Sequence, residues 1–134
     1  MLVAMAVFAS TPDPEAPAFD AKIALQASQA AIGWKLPDLA FRDQQGKLRR
    51  LAEFRGRPLI ISPVYTSCFG VCPTTTTWLK RVAEMARVVL GPGSFSVLTI
   101  GFDTANDTPE RMREFAAARG PFPPDWVFGS GDAA

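Results

Sequence analysis

With 134 residues, 48% hydrophobic and 20% charged, the chain has the size and composition of one folded domain rather than two, and not those of a disordered segment. Fourteen Lys and Arg against thirteen Asp and Glu leave a net charge of +1, without the cationic excess that generic phosphate binding needs, so nucleic acid is not an expected partner. There is no histidine, which excludes every Ser-His or Cys-His constellation and any imidazole metal ligand within these residues.

In chain order, residues 2–9 (LVAMAVFA) form an apolar run. A spanning helix needs about 20 such residues. The run instead suits the apolar region of a secretory signal, with small side chains at the cleavage offsets in Val7-Phe8-Ala9. No basic stretch precedes it, so the expectation is a trimmed export signal, with a plain apolar arm as the alternative. Residues 11–17 (TPDPEAP) are Pro-rich and acidic, an extended linker suited to a tether. The folded domain is expected from residue 18 to residue 134.

Residues 20–32 are rich in helix formers, with Asp20 placed to cap and Gly33 to terminate. Leu39-Ala40-Phe41 and Lys47-Leu48-Arg49 flank the polar turn 42–46, which ends in Gly46, a hairpin signal. Leu51 and Phe54 are expected to point inward. Residues 59–65 (LIISPVY) and 95–102 (FSVLTIGF) read as buried strands. Pro63 conflicts with the first of these, since proline cannot donate to a central ladder, so a bulge or strand end is expected there.

Between the strands, Trp78, Leu79, Val82, Ala86, Val89 and Leu90 recur at the spacings of an amphipathic helix, which Gly91-Pro92-Gly93 stops. Strand, helix, strand at this length predicts a right-handed crossover and an α/β fold with helices on a mixed or parallel sheet. A second helix is expected from Thr108, with Pro109 at its first position, Glu110 favoured by the dipole, and Met112, Phe115 and Ala116 inward. Gly120 and Pro121 end it, and a last short strand follows around Trp126-Val127-Phe128.

The two cysteines of the chain, Cys68 and Cys72, lie in YTSCFGVCP, just after a strand and just before a helix. A helix N-terminus stabilises thiolate, which is both nucleophile and soft-metal ligand. Paired thiolates select Cu(I) or Zn(II), and zinc prefers four ligands that the Cys and His counts cannot supply, whereas Cu(I) tolerates fewer. A structural disulfide is the plainer alternative in an exported protein. Against it, so short a loop removes little chain entropy when closed.

YTSCFGVCP after an apolar strand, Leu36-Pro37-Asp38 before a Gly-centred hairpin, and FDTANDTPE (102–110) after the next strand together resemble the Sco/SenC family over most of residues 28–128. Cys-x-x-x-Cys-Pro separates this pattern from the Cys-x-x-Cys of thioredoxins. The resemblance implies a thioredoxin-like fold, an exported location, periplasmic or anchored to the outer face of the cytoplasmic membrane, and delivery of copper to the dinuclear copper centre of a cytochrome c oxidase subunit. It also implies that Cys68 and Cys72 are the copper-binding thiols, able to cycle through a disulfide, and that Asp103 matches an accessory acidic position.

The family's third ligand, a histidine on a downstream hairpin, is absent from this sequence, so the chain reads as truncated at its C-terminus, with Cu(II) binding crippled and two-thiolate Cu(I) binding retained. The rival function is a thiol-disulfide oxidoreductase acting on partner cysteines. Other features have plainer explanations. The basic stretch Lys47, Arg49, Arg50, Arg55 and Arg57 suits a solvated hairpin surface. Asp103 and Asp107 suit a turn before a capped helix. Thr74–Thr77 are tolerable near a helix start, where capping accounts for part of the run. Met112 suits the core.

Overall fold

The computed structural model describes residues 20–131; the apolar run 2–9 and the linker 11–17 lie outside the described residues. The chain divides into two units, Met1–Leu36 and Pro37–Ala134. In the first, helix α1 (Ala21–Ala30) starts where expected, because the Asp20 carboxylate accepts hydrogen bonds from the N–H groups of Lys22 and Ile23 at 2.8 and 3.1 Å. Gly33, with φ of +88°, follows its end.

The second unit is a five-stranded mixed sheet with helices packed on it. Strands β1 (Ala40–Asp43) and β2 (Leu48–Arg50) form the predicted hairpin. The turn begins two residues later than the polar pattern suggests, because Asp43 Oδ1 accepts from the N–H groups of Gln45 and Lys47 and Gly46 takes a φ of +80°. A 3-10 turn, Leu51–Phe54, then buries Phe54. Strand β3 (Leu59–Val64), helix α2 (Val71–Leu90), strand β4 (Ser96–Gly101), helix α3 (Pro109–Ala117) and strand β5 (Trp126–Gly131) complete the unit. The sheet order is β2-β1-β5-β4-β3, with β3, β4 and β5 parallel and β1 antiparallel to both its neighbours. This is the expected α/β, thioredoxin-like class.

Alternation along β4 and β5 divides the core into two layers. Val97, Trp126 and Phe128 face Ala83 of α2 and Met112 and Phe115 of α3. Leu98 and Val127 face Phe41 and Phe54 on the other side. Trp126 is buried, and its Nε1–H donates to Thr99 Oγ1 at 3.0 Å. The start of α3 follows its sequence signal: Thr108 Oγ1 accepts from Arg111 N–H at 3.3 Å, with Pro109 in the first turn.

Three expectations about β3 and α2 need correction. Residues 59–65 do not form a strand buried on both faces: β3 is an edge strand among the described residues, with Ile60 and Ile61 exposed. That position accommodates Pro63, which stays in register with Ile100 without a bulge and lies one residue before the strand end. The inner stripe of α2 is also not the one the large side chains suggest. Thr76 and Ala83 are buried and Leu79 and Ala86 partly so, while Trp78, Val82, Val89 and Leu90 are exposed. Phe95, Trp126 and Phe128 already fill the layer beneath the helix, so small residues let α2 approach. The threonines of its first turns do not cap it either. Thr74, Thr76 and Thr77 hydroxyls donate instead to the carbonyls of Gly70, Cys72 and Pro73, four residues back.

The basic stretch is a hairpin surface with local partners. Arg49 pairs with Glu53 and Arg50 with Asp38, each at 2.7 Å. These contacts hold both carboxyls below the usual carboxylate range, through hydrogen bonds from Arg50 and Ala52 at Asp38 and from Arg50 and Arg49 at Glu53.

Candidate metal centre

The β3 ladder ends at Val64 and α2 begins at Val71, so Cys68 lies in the connecting loop and Cys72 in the first helical turn. Gly70, the residue before α2, contributes no side-chain cap. First-turn N–H groups are therefore left to find other acceptors. One of them, the N–H of Cys72, donates to Cys68 Sγ at 3.3 Å. The loop is closed on its other side by the Cys68 N–H, which donates to the Tyr65 carbonyl at 3.1 Å. Both cysteines are free thiols, Cys68 buried and Cys72 half-buried.

The same contacts make the two sulfurs electrically unequal. The Cys72 backbone N–H, then the Cys72 side chain and the Tyr65 hydroxyl, stabilise charge on Cys68 and bring its thiol down to about 6. Burial pushes the Cys72 thiol up, and negative charge on Cys68 adds to this. At neutral pH the pair is one thiolate beside one thiol. Tyr65 holds its phenolic proton more tightly than an ordinary tyrosine because that proton interacts with the Cys68 sulfur. Its ring meets Phe102 edge-on at 5.6 Å.

Cys68 opens onto a groove lined by Thr66, Phe69, Arg111, Phe115 and Arg119. Phe69 is 97% exposed, so the loop presents an aromatic side chain to solvent beside the thiols. Arg119 stacks its guanidinium on the Phe115 ring at 3.7 Å and donates to the Phe115 carbonyl. Burial lowers its affinity for its proton, while negative charge on Cys72 raises it. Arg119 is not legible from the sequence as a neighbour of the cysteines, since it lies two residues beyond the end of α3, outside the helix pattern.

The β4–α3 loop carries the two aspartates. Asp103 is half-buried and its Oδ2 accepts from Asn106 Nδ2 at 2.9 Å. Asp107 is the buried one, 1% exposed, and does more than shape a turn. Its Oδ1 accepts from both the N–H and the hydroxyl of Thr66 at 2.7 Å, and its Oδ2 from the Asp103 N–H at 2.9 Å. The loop bearing Asp103 is thus tied to the loop bearing Cys68. Among the described residues no group of three or more His, Cys, Asp or Glu side chains could hold one metal ion. The soft side-chain atoms gathered at this junction are the two cysteine sulfurs, Cys68 buried and Cys72 half-buried.

A profile described as SCO1/SenC matches residues 35–126. Among solved structures, the chain is similar to a SCO1/SenC family lipoprotein from Bacillus anthracis str. Ames at 22% identity and a TM-score of 0.69, covering 76% of this chain and 60% of that one. It is similar to Bradyrhizobium japonicum ScoI with copper bound at 30% identity and a TM-score of 0.56, covering 72% and 58%. Yeast Sco1 with copper bound matches at 21% identity and a TM-score of 0.61, covering 71% and 50%. The chain therefore spans about three fifths of the length of the first of these relatives. A match over residues 35–126, with the cysteine pair at its strand-to-helix junction inside it, means that this chain belongs to the SCO1/SenC family.

Proposed function

We propose that the chain carries Cu(I) on Cys68 and Cys72 and passes it to the dinuclear copper centre of a cytochrome c oxidase subunit, outside the cytoplasmic membrane. The observation that carries this reading is the thiolate–thiol pair at the start of α2, with the Cys72 N–H on Cys68 Sγ. One sulfur is already charged at neutral pH, and the second needs to lose only one proton to complete a two-thiolate site. Cu(I) is a soft ion that accepts two sulfur ligands. The copper-bound relatives support the choice of cargo. Asp103 serves in this reading as an accessory acid on the adjoining loop. A tether through the N-terminal segment accords with the lipoprotein relative; no described helix is long and apolar enough to cross a membrane.

The test is anaerobic titration of the reduced chain with Cu(I) against a competing chelator. One equivalent taken up, and lost in the Cys68→Ser, Cys72→Ser double variant, is the expected result. No uptake, or equal uptake by the double variant, refutes the reading.

A second reading has its own observation, the inequality of the two thiols. A thiol-disulfide reductase needs a charged attacking sulfur and a resolving thiol. Cys68 thiolate would attack a partner's disulfide, releasing one partner sulfur as thiolate. Cys72, on losing its proton, would then attack Cys68 Sγ and release the other. The partner gains two electrons and the chain gains a disulfide. Catalytic turnover of a disulfide substrate with a reductant, in a chain that binds no Cu(I), would favour this alternative.

A further inference from the structure

Asp107 is a buried carboxylate that neither proposed chemistry uses directly. Among the described residues no Lys or Arg side chain forms an ion pair with it. Its three hydrogen bonds come from Thr66, twice, and from the Asp103 backbone. The strand beneath it is shaped to admit it. A Cβ placed on Gly101, the last residue of β4, would lie 2.5 Å from the Asp107 Cβ and 2.9 Å from its Oδ2, closer than any side chain tolerates. The carboxylate therefore joins the end of β4, the loop before α3, and Thr66. Thr66 stands two residues before Cys68, inside the turn that the Cys68 N–H closes on Tyr65.

We infer that Asp107 and Thr66 form a positioning clamp that holds the Cys68 loop against the start of α2 and so sets how readily the two sulfurs act together. The inference rests on the reading of Cys68 and Cys72 as the working pair. A carboxylate suits the task because all three partners are donors: each oxygen can accept, and neither oxygen presents a proton to them. An amide in its place turns one end into a donor facing either Thr66 or the Asp103 N–H. Burial makes the mismatch costly, since neither group can turn to water. With the clamp loosened, Cys68 samples positions away from the Cys72 N–H, and the effective concentration of one sulfur at the other falls.

The equilibrium of the chain with glutathione reads that concentration without copper. Two protein thiols and one oxidised glutathione give the Cys68–Cys72 disulfide and two reduced glutathiones. In Thr66→Val, which keeps shape and backbone N–H but removes the hydroxyl, the equilibrium should move toward the dithiol by about tenfold, the equivalent of one hydrogen bond to a charged group. Asp107→Asn should move it at least as far, and Thr66→Ser should leave it within about twofold, since one donor pair is kept. Circular dichroism and thermal melting establish that each variant is folded, and Thr66→Val decides the matter if Asp107→Asn does not fold. Melting temperatures lowered with the glutathione equilibrium unmoved would overturn the inference, leaving Asp107 a structural residue only. Cu(I) titration separates the two readings. Copper uptake with an unmoved equilibrium sinks the clamp and spares the carrier, while no uptake with the predicted shift sinks the carrier and spares the clamp.

Discussion

Proton release on copper binding offers the sharpest quantitative check of the site. Cu(I) bound by two thiolates displaces whatever protons the thiols hold, so affinity falls as pH falls, and the slope counts the protons displaced. Cys68, brought to about 6 by the Cys72 N–H, is already ionised at pH 8, whereas Cys72, pushed up by burial, keeps its proton there. Between pH 8 and pH 6 the proton on Cys72 lowers affinity about tenfold per pH unit, and half-protonation of Cys68 at the lower end adds about a factor of two. The expected loss over the interval is about 200-fold. Two ordinary thiols near 8.5 would lose about 6,000-fold over the same interval, because both must be deprotonated. Anaerobic competition against a chromophoric Cu(I) chelator of known pH dependence, read at both pH values, separates these figures. A loss in the thousands would refute the assignment of a charged Cys68 held by the start of α2.

Further outcomes follow from the same structure. Alkylation of Cys68, followed by mass spectrometry, should show its inflection near pH 6, while Cys72 reacts only above the ordinary thiol range; two inflections near 8.5 would contradict the inequality of the sulfurs. Thr99→Val removes the hydroxyl that receives the buried Trp126 Nε1–H and should lower stability to urea by about 1–3 kcal/mol, with no change signifying that the indole finds another acceptor. In Gly129→Ala the new methyl would meet the Phe41 ring, 2.5 Å from its Cδ2, and overpacking of that kind costs about 1–3 kcal/mol; a variant as stable as the parent would show that Phe41 has room to move.

Features encoded within a few residues were legible before any fold was known. Asp20, Thr108 with Pro109, and Gly46 each act on backbone groups close by, so their local spacing suffices to identify a cap or a turn. The cysteine pair was legible for the same reason: an apolar run, a short loop and a helix start bring Cys68 Sγ to the Cys72 N–H through local geometry.

Other properties belong to the assembled sheet. Hydrophobicity marks residues 59–65 as a strand, but only strand order makes β3 an edge on which Pro63 is harmless. Periodicity marks α2 as amphipathic through its large side chains, but the bulk of Phe95, Trp126 and Phe128 beneath it leaves room only for the stripe with small residues, Thr76 and Ala83. Asp107 and Thr66 stand 41 residues apart, and Asp107 sits beside the capping Thr108, so its local surroundings favoured the turn reading. Its grip on the Cys68 loop exists only because parallel pairing of β3 and β4 brings their ends together, in register from Leu59 with Ser96 to Val64 with Gly101. Backbone torsions and nearest neighbours are properties of short segments; contacts across a sheet depend on where distant segments come to rest.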